Sequence, residues 1–354
     1  MHHPSPRAPR CPAWRTAAAA LSAALALAAC GAPSSKENLA SVRADTLIEF
    51  PATELELPGL PAANDYDTLE LDWTDAARGR AVPALLYWPK AAESEVARPV
   101  PLIVFSHGIG GSRYGYSYLG RYWASHGYAS LHVQHIGSDR SVWGSNVLQT
   151  ALRMQDAAQE KEAVARVADL HFALDSLLAS ERGPHIDRQR LVVAGHSYGA
   201  NTALLAAGAT VQRGGKAMQF RDPRFTAAIV MSAPPFYGDN DFGPILGGVS
   251  IPTLHVTATL DTIEIPGYYS PMSDRLKVFD ATGSKLKVLA VFQGGSHSVF
   301  TDRMNTGGVN APRMKTATQA LSMAFLRRVF EGSDDALAAW NAYNRRLVSS
   351  YVSR

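Results

Sequence analysis

The chain is 354 residues long, with 34 Lys and Arg against 31 Asp and Glu and a formal net charge of +3. The charges are interspersed, and no basic cluster or aromatic-basic face points to nucleic acid as a partner. Only Cys11 and Cys30 are present, so once a leader is removed no internal disulfide is possible, and stability has to come from a core that this length can bury.

Residues 1–16 carry Arg7, Arg10 and Arg15 and no acid, and residues 17–29 are an unbroken run of Ala and Leu with one Ser. That run is too short to span a bilayer and reads as a secretory signal over 1–29. It ends Leu27-Ala28-Ala29-Cys30-Gly31, which resembles the lipobox of bacterial lipoproteins. Cys30 is therefore expected to carry the lipid and to start the mature chain at a membrane surface; the alternative is a plain signal cleaved nearby. Gly31 is not the aspartate that this lipoprotein resemblance links to inner-membrane retention, so in a cell with two membranes the outer one is expected. Residues 30–65, rich in Pro, Ala, Ser and charge, read as a tether, with one short apolar piece at Leu47-Ile48-Glu49-Phe50.

From Tyr66 the pattern changes, and one catalytic domain is expected over 66–354. Alternation over 68–73 and 81–88 about a turn at Gly79 predicts a β-hairpin. Pro101-Leu102-Ile103-Val104-Phe105 predicts a strand covered on both faces, followed by a loop, a helix over 116–126 and a strand over 129–133. Residues 151–178 show one long helix pattern. Apolar strands are expected at 191–194, 225–231, 253–256 and 287–292, and helices at 201–207, 314–330 and 334–348. The alternation predicts an α/β fold, a mostly parallel central sheet with helices on both faces.

Gly195-His196-Ser197-Tyr198-Gly199-Ala200 joins a β-branched strand to a helix-forming run. This G-x-S-x-G turn predicts a nucleophile elbow, with Ser197 at positive φ and the two glycines removing collisions with the flanking strand and helix. A serine hydroxyl needs a base and a group to orient that base. Asp261 stands past the strand at 253–256, and His297 past the strand at 287–292, in the chain order Ser, acid, His. Glu264 is an alternative acid; Asp261 would then be a turn or cap residue. His107, His132, His135 and His196 are expected to be structural. The loop Ser106-His107-Gly108-Ile109-Gly110-Gly111-Ser112 follows an early strand, and the N–H of Ile109, paired with that of Tyr198, is the expected oxyanion donor set. The loop lacks the Gly-Lys-Ser/Thr ending of a P-loop, and no H-E-x-x-H, C-x-x-C or strand-following G-x-G-x-x-G occurs, so no metal or cofactor is expected.

Together these residues resemble the α/β-hydrolase superfamily over about 66–330. The segment from Phe105 to Arg113, with Trp123-Ala124-Ser125-His126-Gly127-Tyr128, is similar to the bacterial branch holding chlorophyllase-like, platelet-activating-factor acetylhydrolase-like and dienelactone-hydrolase-like proteins. Leu260-Asp261-Thr262-Ile263-Glu264-Ile265-Pro266 is similar to the acid segment of cutinase-like polyester hydrolases. The resemblance implies hydrolysis of a small-molecule or lipid-like ester through an acyl-enzyme, without a cofactor. It departs at Val230-Met231-Ser232-Ala233, where the acetylhydrolase pattern has its acid and this chain has none. Two other readings stay open: a serine peptidase of the same fold, or a non-catalytic surface lipoprotein on a hydrolase scaffold. Tyr114, Tyr116, Tyr118, Trp143 and Met154 are candidates for an aromatic-rich cleft mouth, and 137–159 either a flap over it or a plain crossover connection.

Overall fold

In the computed structural model the described residues are 55, 57–90, 98–236, 241–265, 268–303 and 306–354. The expected signal, Cys30 and most of the tether lie outside them. Contacts group Asp45–Arg354 into one unit; the other, Met1–Ala44, contains none of the described residues.

Leu69, Leu71 and Trp73 alternate with polar residues, and Tyr66–Asp75 (β1) pairs antiparallel with Arg80–Pro89 (β2), Gly79 taking φ 58° in the turn. Then come Val100–Ser106 (β3), Ser117–Ser125 (α1), Ala129–Val133 (β4), Val147–Ala157 (α2), Glu160–Ala179 (α3) and Ile186–His196 (β5). Tyr198–Ala207 (α4) leads to a small hairpin, Thr210–Arg213 (β6) with Lys216–Gln219 (β7), and to Phe225–Met231 (β8). The rest is Phe242–Leu246 (α5), Thr253–Leu260 (β9), the pair Ile263–Ile265 (β10) and Tyr268–Ser270 (β11), Ser273–Ala281 (α6), Lys287–Ser296 (β12), Ala311–Glu331 (α7), Asp335–Asn344 (α8) and Val348–Ser353 (β13).

Among the described residues nine strands make one sheet in the order β1-β2-β4-β3-β5-β8-β9-β12-β13. The pairs from β4 to β12 are parallel, and the edges are antiparallel. The twofold period of a strand sorts neighbouring side chains into two cores. Leu102, Val104, Leu191 and Val193 face Val167, Leu170 and Leu174 of α3 and Ala203 and Leu204 of α4. Ile103, Phe105, Val192 and Ala194 face Leu119 and Trp123 of α1, Leu321 and Phe325 of α7 and Trp340 of α8. Each such side chain, fully buried, stabilises by roughly 1.5–3 kcal/mol before entropy is counted. The chain leaves β3 toward β4 on one side and returns to β5 on the other, and such a switch point opens a crevice at the strands' carboxyl ends.

Three expectations are corrected, and one hairpin is added to them. The single helix expected over 151–178 is two, starting earlier at Val147, where the Asn146 side chain caps by accepting from Gln149 N (2.9 Å). Gln159 breaks them with extended backbone, although no Gly or Pro marks the place; beyond the break Glu162 and Arg166 turn into a buried polar cluster. The last helix stops at Asn344, and 348–353 instead closes the sheet edge against β12. Gly214-Gly215, both at positive φ, make the β6–β7 turn, a hairpin that none of the expected elements includes. Strands β9 and β12 run past their expected ends, as far as Leu260 and Ser296, and deliver Asp261 and His297 directly at the sheet's edge.

Candidate active site

The turn from β5 to α4 holds Ser197 at φ 56°, ψ −122°. Both glycines are required by space. A Cβ on Gly195 would lie 2.1 Å from the Gly199 carbonyl, and one on Gly199 would lie 1.9 Å from the Ser106 carbonyl. The second contact also shows that the elbow presses directly on the loop after β3. Ser197 is held further by its N–H donating to Met231 O (2.9 Å).

His297 opens one turn of 3₁₀ helix, His297–Phe300, at the end of β12. Its Nδ1 lies 2.7 Å from Asp261 Oδ1 and its Nε2 2.8 Å from Ser197 Oγ. A carboxylate only accepts, so Nδ1 carries the proton; Nε2 is left as acceptor and the Ser197 hydroxyl donates to it. Asp261 is fully buried, and its other oxygen accepts from Thr257 Oγ1 (2.7 Å). Arg275 Nη2 stands 3.3 Å from Oδ1 as an ion pair. Burial works to raise the carboxyl's pKa. The hydrogen bond and charge of His297, the Arg275 charge and the nearby Ser232 hydroxyl outweigh it and hold Asp261 well below the ordinary carboxylate range. Glu264 lies exposed on β10, and Asp261 rather than Glu264 meets the imidazole.

His196, beside the serine, faces the other way. Its Nε2 is 3.0 Å from the His297 carbonyl, and its Nδ1 is 2.8 Å from Tyr116 Oη, which in turn accepts from Gly108 N (3.3 Å). With the Nε2–H donating to the carbonyl and Nδ1 accepting from the phenol, one chain of bonds ties the loop after β3 to the loop that carries His297. Sequence reading placed His196 as structural but missed Tyr116 as its partner, a contact across eighty residues that no local pattern records. The bonds of that loop leave the Ile109 amide open. Gly108 N goes to Tyr116, Gly110 N to Ser138 O (2.8 Å) and Gly111 N to Gly108 O (3.0 Å). Among the described residues the N–H groups of Ile109 and Tyr198 have no acceptor, and these are the two expected to meet an oxyanion.

The aromatic candidates divide. Tyr116 is buried, Tyr118 is partly buried with its hydroxyl on Phe300 O (3.2 Å), and Tyr114 bonds Glu70 of β1 (2.9 Å). Trp143 is the one that reaches the site's rim. It is 43% exposed, its Nε1 donates to Gly110 O (3.0 Å), and the Arg303 guanidinium lies 4.9 Å over its ring. It thus spans from the oxyanion-side loop to the chain just after His297. Val147, Leu148 and Leu152 of the neighbouring α2 are exposed, while Val142 before it and Ala157 at its end are buried.

A family model described as platelet-activating factor acetylhydrolase, isoform II, matches residues 86–169, from β2 into α3. A platelet-activating factor acetylhydrolase of Cavia porcellus is 23% identical over an alignment of 285 residues that covers 68% of this chain. The match spans about 60% of that relative's length. Sheet order, elbow and these matches agree: the chain has an α/β-hydrolase-type fold and is similar to the platelet-activating-factor acetylhydrolase family.

Proposed function

We propose that this chain is a carboxylic ester hydrolase acting through Ser197, His297 and Asp261. The observation that carries it is the continuous bonding of Ser197 Oγ to His297 Nε2 and of Nδ1 to Asp261, at 2.8 and 2.7 Å, on a serine held at positive φ. His297 takes the hydroxyl proton as Ser197 attacks the ester carbonyl. Asp261 fixes the tautomer and stabilises the imidazolium, while the Ile109 and Tyr198 amides receive the oxyanion. The alcohol leaves with the proton from His297, and water repeats the sequence on the acyl-enzyme. The relative's name favours a short acyl group on a phospholipid-like alcohol. The acid on Asp261, with Ser232 where that pattern has its carboxylate, favours a broader, cutinase-like ester range. The test is labelling of Ser197 by a fluorophosphonate, with rates on acetyl and octanoyl esters, an acetylated phospholipid, a polyester film and a peptide p-nitroanilide. Absence of labelling, or faster cleavage of the anilide than of every ester, defeats the reading.

We further propose that Trp143 and α2 form a flap that sorts acyl groups. Trp143→Ala is expected to change the ratio of kcat/KM on acetyl and octanoyl esters several-fold. Because the ring is nearly half exposed, the melting temperature should move little, whereas a core tryptophan would cost about 3–5 kcal/mol. A large loss of stability with an unchanged ratio would return the segment to a structural role.

Attachment to the cell envelope through a lipid on Cys30 is the third part of this reading. It rests on the lipobox-like Leu27-Ala28-Ala29-Cys30. Cys30→Ser should move the protein from the membrane to the soluble fraction on cell fractionation. A wild-type protein already wholly soluble, with its N-terminus elsewhere, contradicts it.

A further inference from the structure

Helix α3 places a guanidinium, Arg166, fully buried against the loop after β3 and the first turn of α4. Its Nη2 donates to the His107 carbonyl and to Ser106 Oγ (3.0 Å), its Nη1 to Ser138 Oγ (2.7 Å) and its Nε to Thr202 Oγ1 (3.1 Å). The Tyr198 ring lies 4.5 Å from its plane centre. Among the described residues no carboxylate stands within ion-pair distance of it. Glu162 is linked only through Ser138 (2.7 Å), and Asp169 only through His135 (3.2 Å), which reaches Ser106 (2.9 Å). Burying a cation on neutral acceptors is costly. Simple filling of the space would call for a leucine or methionine, so the four directed bonds need another account.

Those bonds end on the two sides of the expected oxyanion site. On one side, the Gly108 carbonyl accepts from His107 Nδ1 (2.8 Å) and from Gly111 N (3.0 Å). His135 N donates to His107 Nε2 (3.2 Å), so the proton of a neutral His107 must sit on Nδ1. Burial keeps it neutral by pushing its pKa well below the ordinary imidazole value, and the Arg166 charge adds to this. Two donors on one carbonyl polarise the Gly108–Ile109 peptide and strengthen the Ile109 N–H. Arg166 fixes the preceding carbonyl, that of His107. On the other side, Thr202 Oγ1 accepts from Arg166 and donates to Tyr198 O (3.1 Å).

We propose that Arg166 is the positioning residue that holds the Ile109 and Tyr198 amides at a common distance from the oxyanion formed on Ser197; this rests on the ester-hydrolase reading above. Arg166→Lys keeps the charge but cannot span four acceptors. It is expected to lower kcat about 100-fold, the scale of a 1 Å misplacement, with KM within about threefold of wild type. The affinity for an aryl boronate should fall by the same factor. That probe gains a bond from Ser197 Oγ to boron, the hydroxyl proton passing to His297, and so mimics the tetrahedral state. A merely structural arginine would lower the melting temperature and leave kcat and boronate affinity per folded molecule unchanged. Thr202→Val is the milder variant and decides the matter if Arg166→Lys does not fold; a several-fold fall in both quantities is expected. Folded variants within twofold of wild type in both overturn the proposal. A wild-type protein that neither hydrolyses esters nor binds the boronate overturns the ester-hydrolase reading and this proposal with it.

Discussion

Ser197→Ala and His297→Ala are each expected to reduce ester hydrolysis by about a million-fold in kcat while leaving the protein folded. In a Ser-His-Asp unit the serine and histidine act as one device, so losing either removes nearly the whole of the nucleophilic path. The folded state should tolerate both changes. Ser197 contributes one side-chain hydrogen bond, the one to His297 (2.8 Å), and its strained backbone is permitted by Gly195 and Gly199 and does not depend on the hydroxyl. Asp261→Ala should cost less, about 10⁴-fold, because the imidazole remains beside the serine and loses its tautomer control. That variant also leaves the buried Arg275 without its carboxylate, so its melting temperature should fall more than for the other two. Rates on one acetyl ester with melting curves for all three check this. Should Asp261→Ala keep full activity while Glu264→Ala loses it, the acid is misassigned.

What could be read from the sequence was local. The elbow is six consecutive residues whose glycines answer to collisions within the turn itself, and Asp261 and His297 were reached by following two apolar strands to their ends. What could not be read depends on distant pairs. Arg166 sits in a helix pattern whose register does not distinguish it from a solvated arginine; only the loop at 106–107 and Thr202 show why it faces inward. Tyr116 and Tyr118 looked like cleft aromatics because composition carries no direction, and packing against α7 and His196 claimed them. The α2–α3 break and β13 escaped for a related reason. Neither has a Gly or Pro signal, and each is fixed by what the segment packs on, the polar cluster around Glu162 and the open edge of β12.

Acidification from pH 7 to about pH 5 is expected to unfold the protein, because five histidines among the described residues are buried without their proton. His132, His196 and His255 are pushed down to about 3 and His135 to about 4, while His107 lies well below the ordinary value of 6.5. Burial is the largest cause in each. The Arg166 charge adds to it at His107 and His135, that of His297 at His196, and that of Lys287 at His255. For a base depressed in the folded state the unfolded chain takes up the proton first. The stabilisation is therefore fully present above about pH 6.5 and is lost as pH falls below it, until the folded-state value is reached. Each group gives a slope of about 1.4 kcal/mol per pH unit in that window, and five together reach about 7 kcal/mol per unit. Total stabilities of roughly 5–15 kcal/mol do not survive that for long. The depressed carboxylates act elsewhere. Asp169, at about 2, and Asp261 stabilise above the unfolded carboxylate value near 3.9 and release that contribution only at lower pH. Urea titrations at pH 7.5, 6.5 and 5.5 should show a steeply falling midpoint. His255, packed edge-on to Phe279 and outside the proposed site, offers the control: His255→Gln should flatten the pH slope by about 1.4 kcal/mol per unit, whatever it does to stability at pH 7.5. A midpoint that stays level from pH 7.5 to 5.5 would mean that these imidazoles reach water in the folded state.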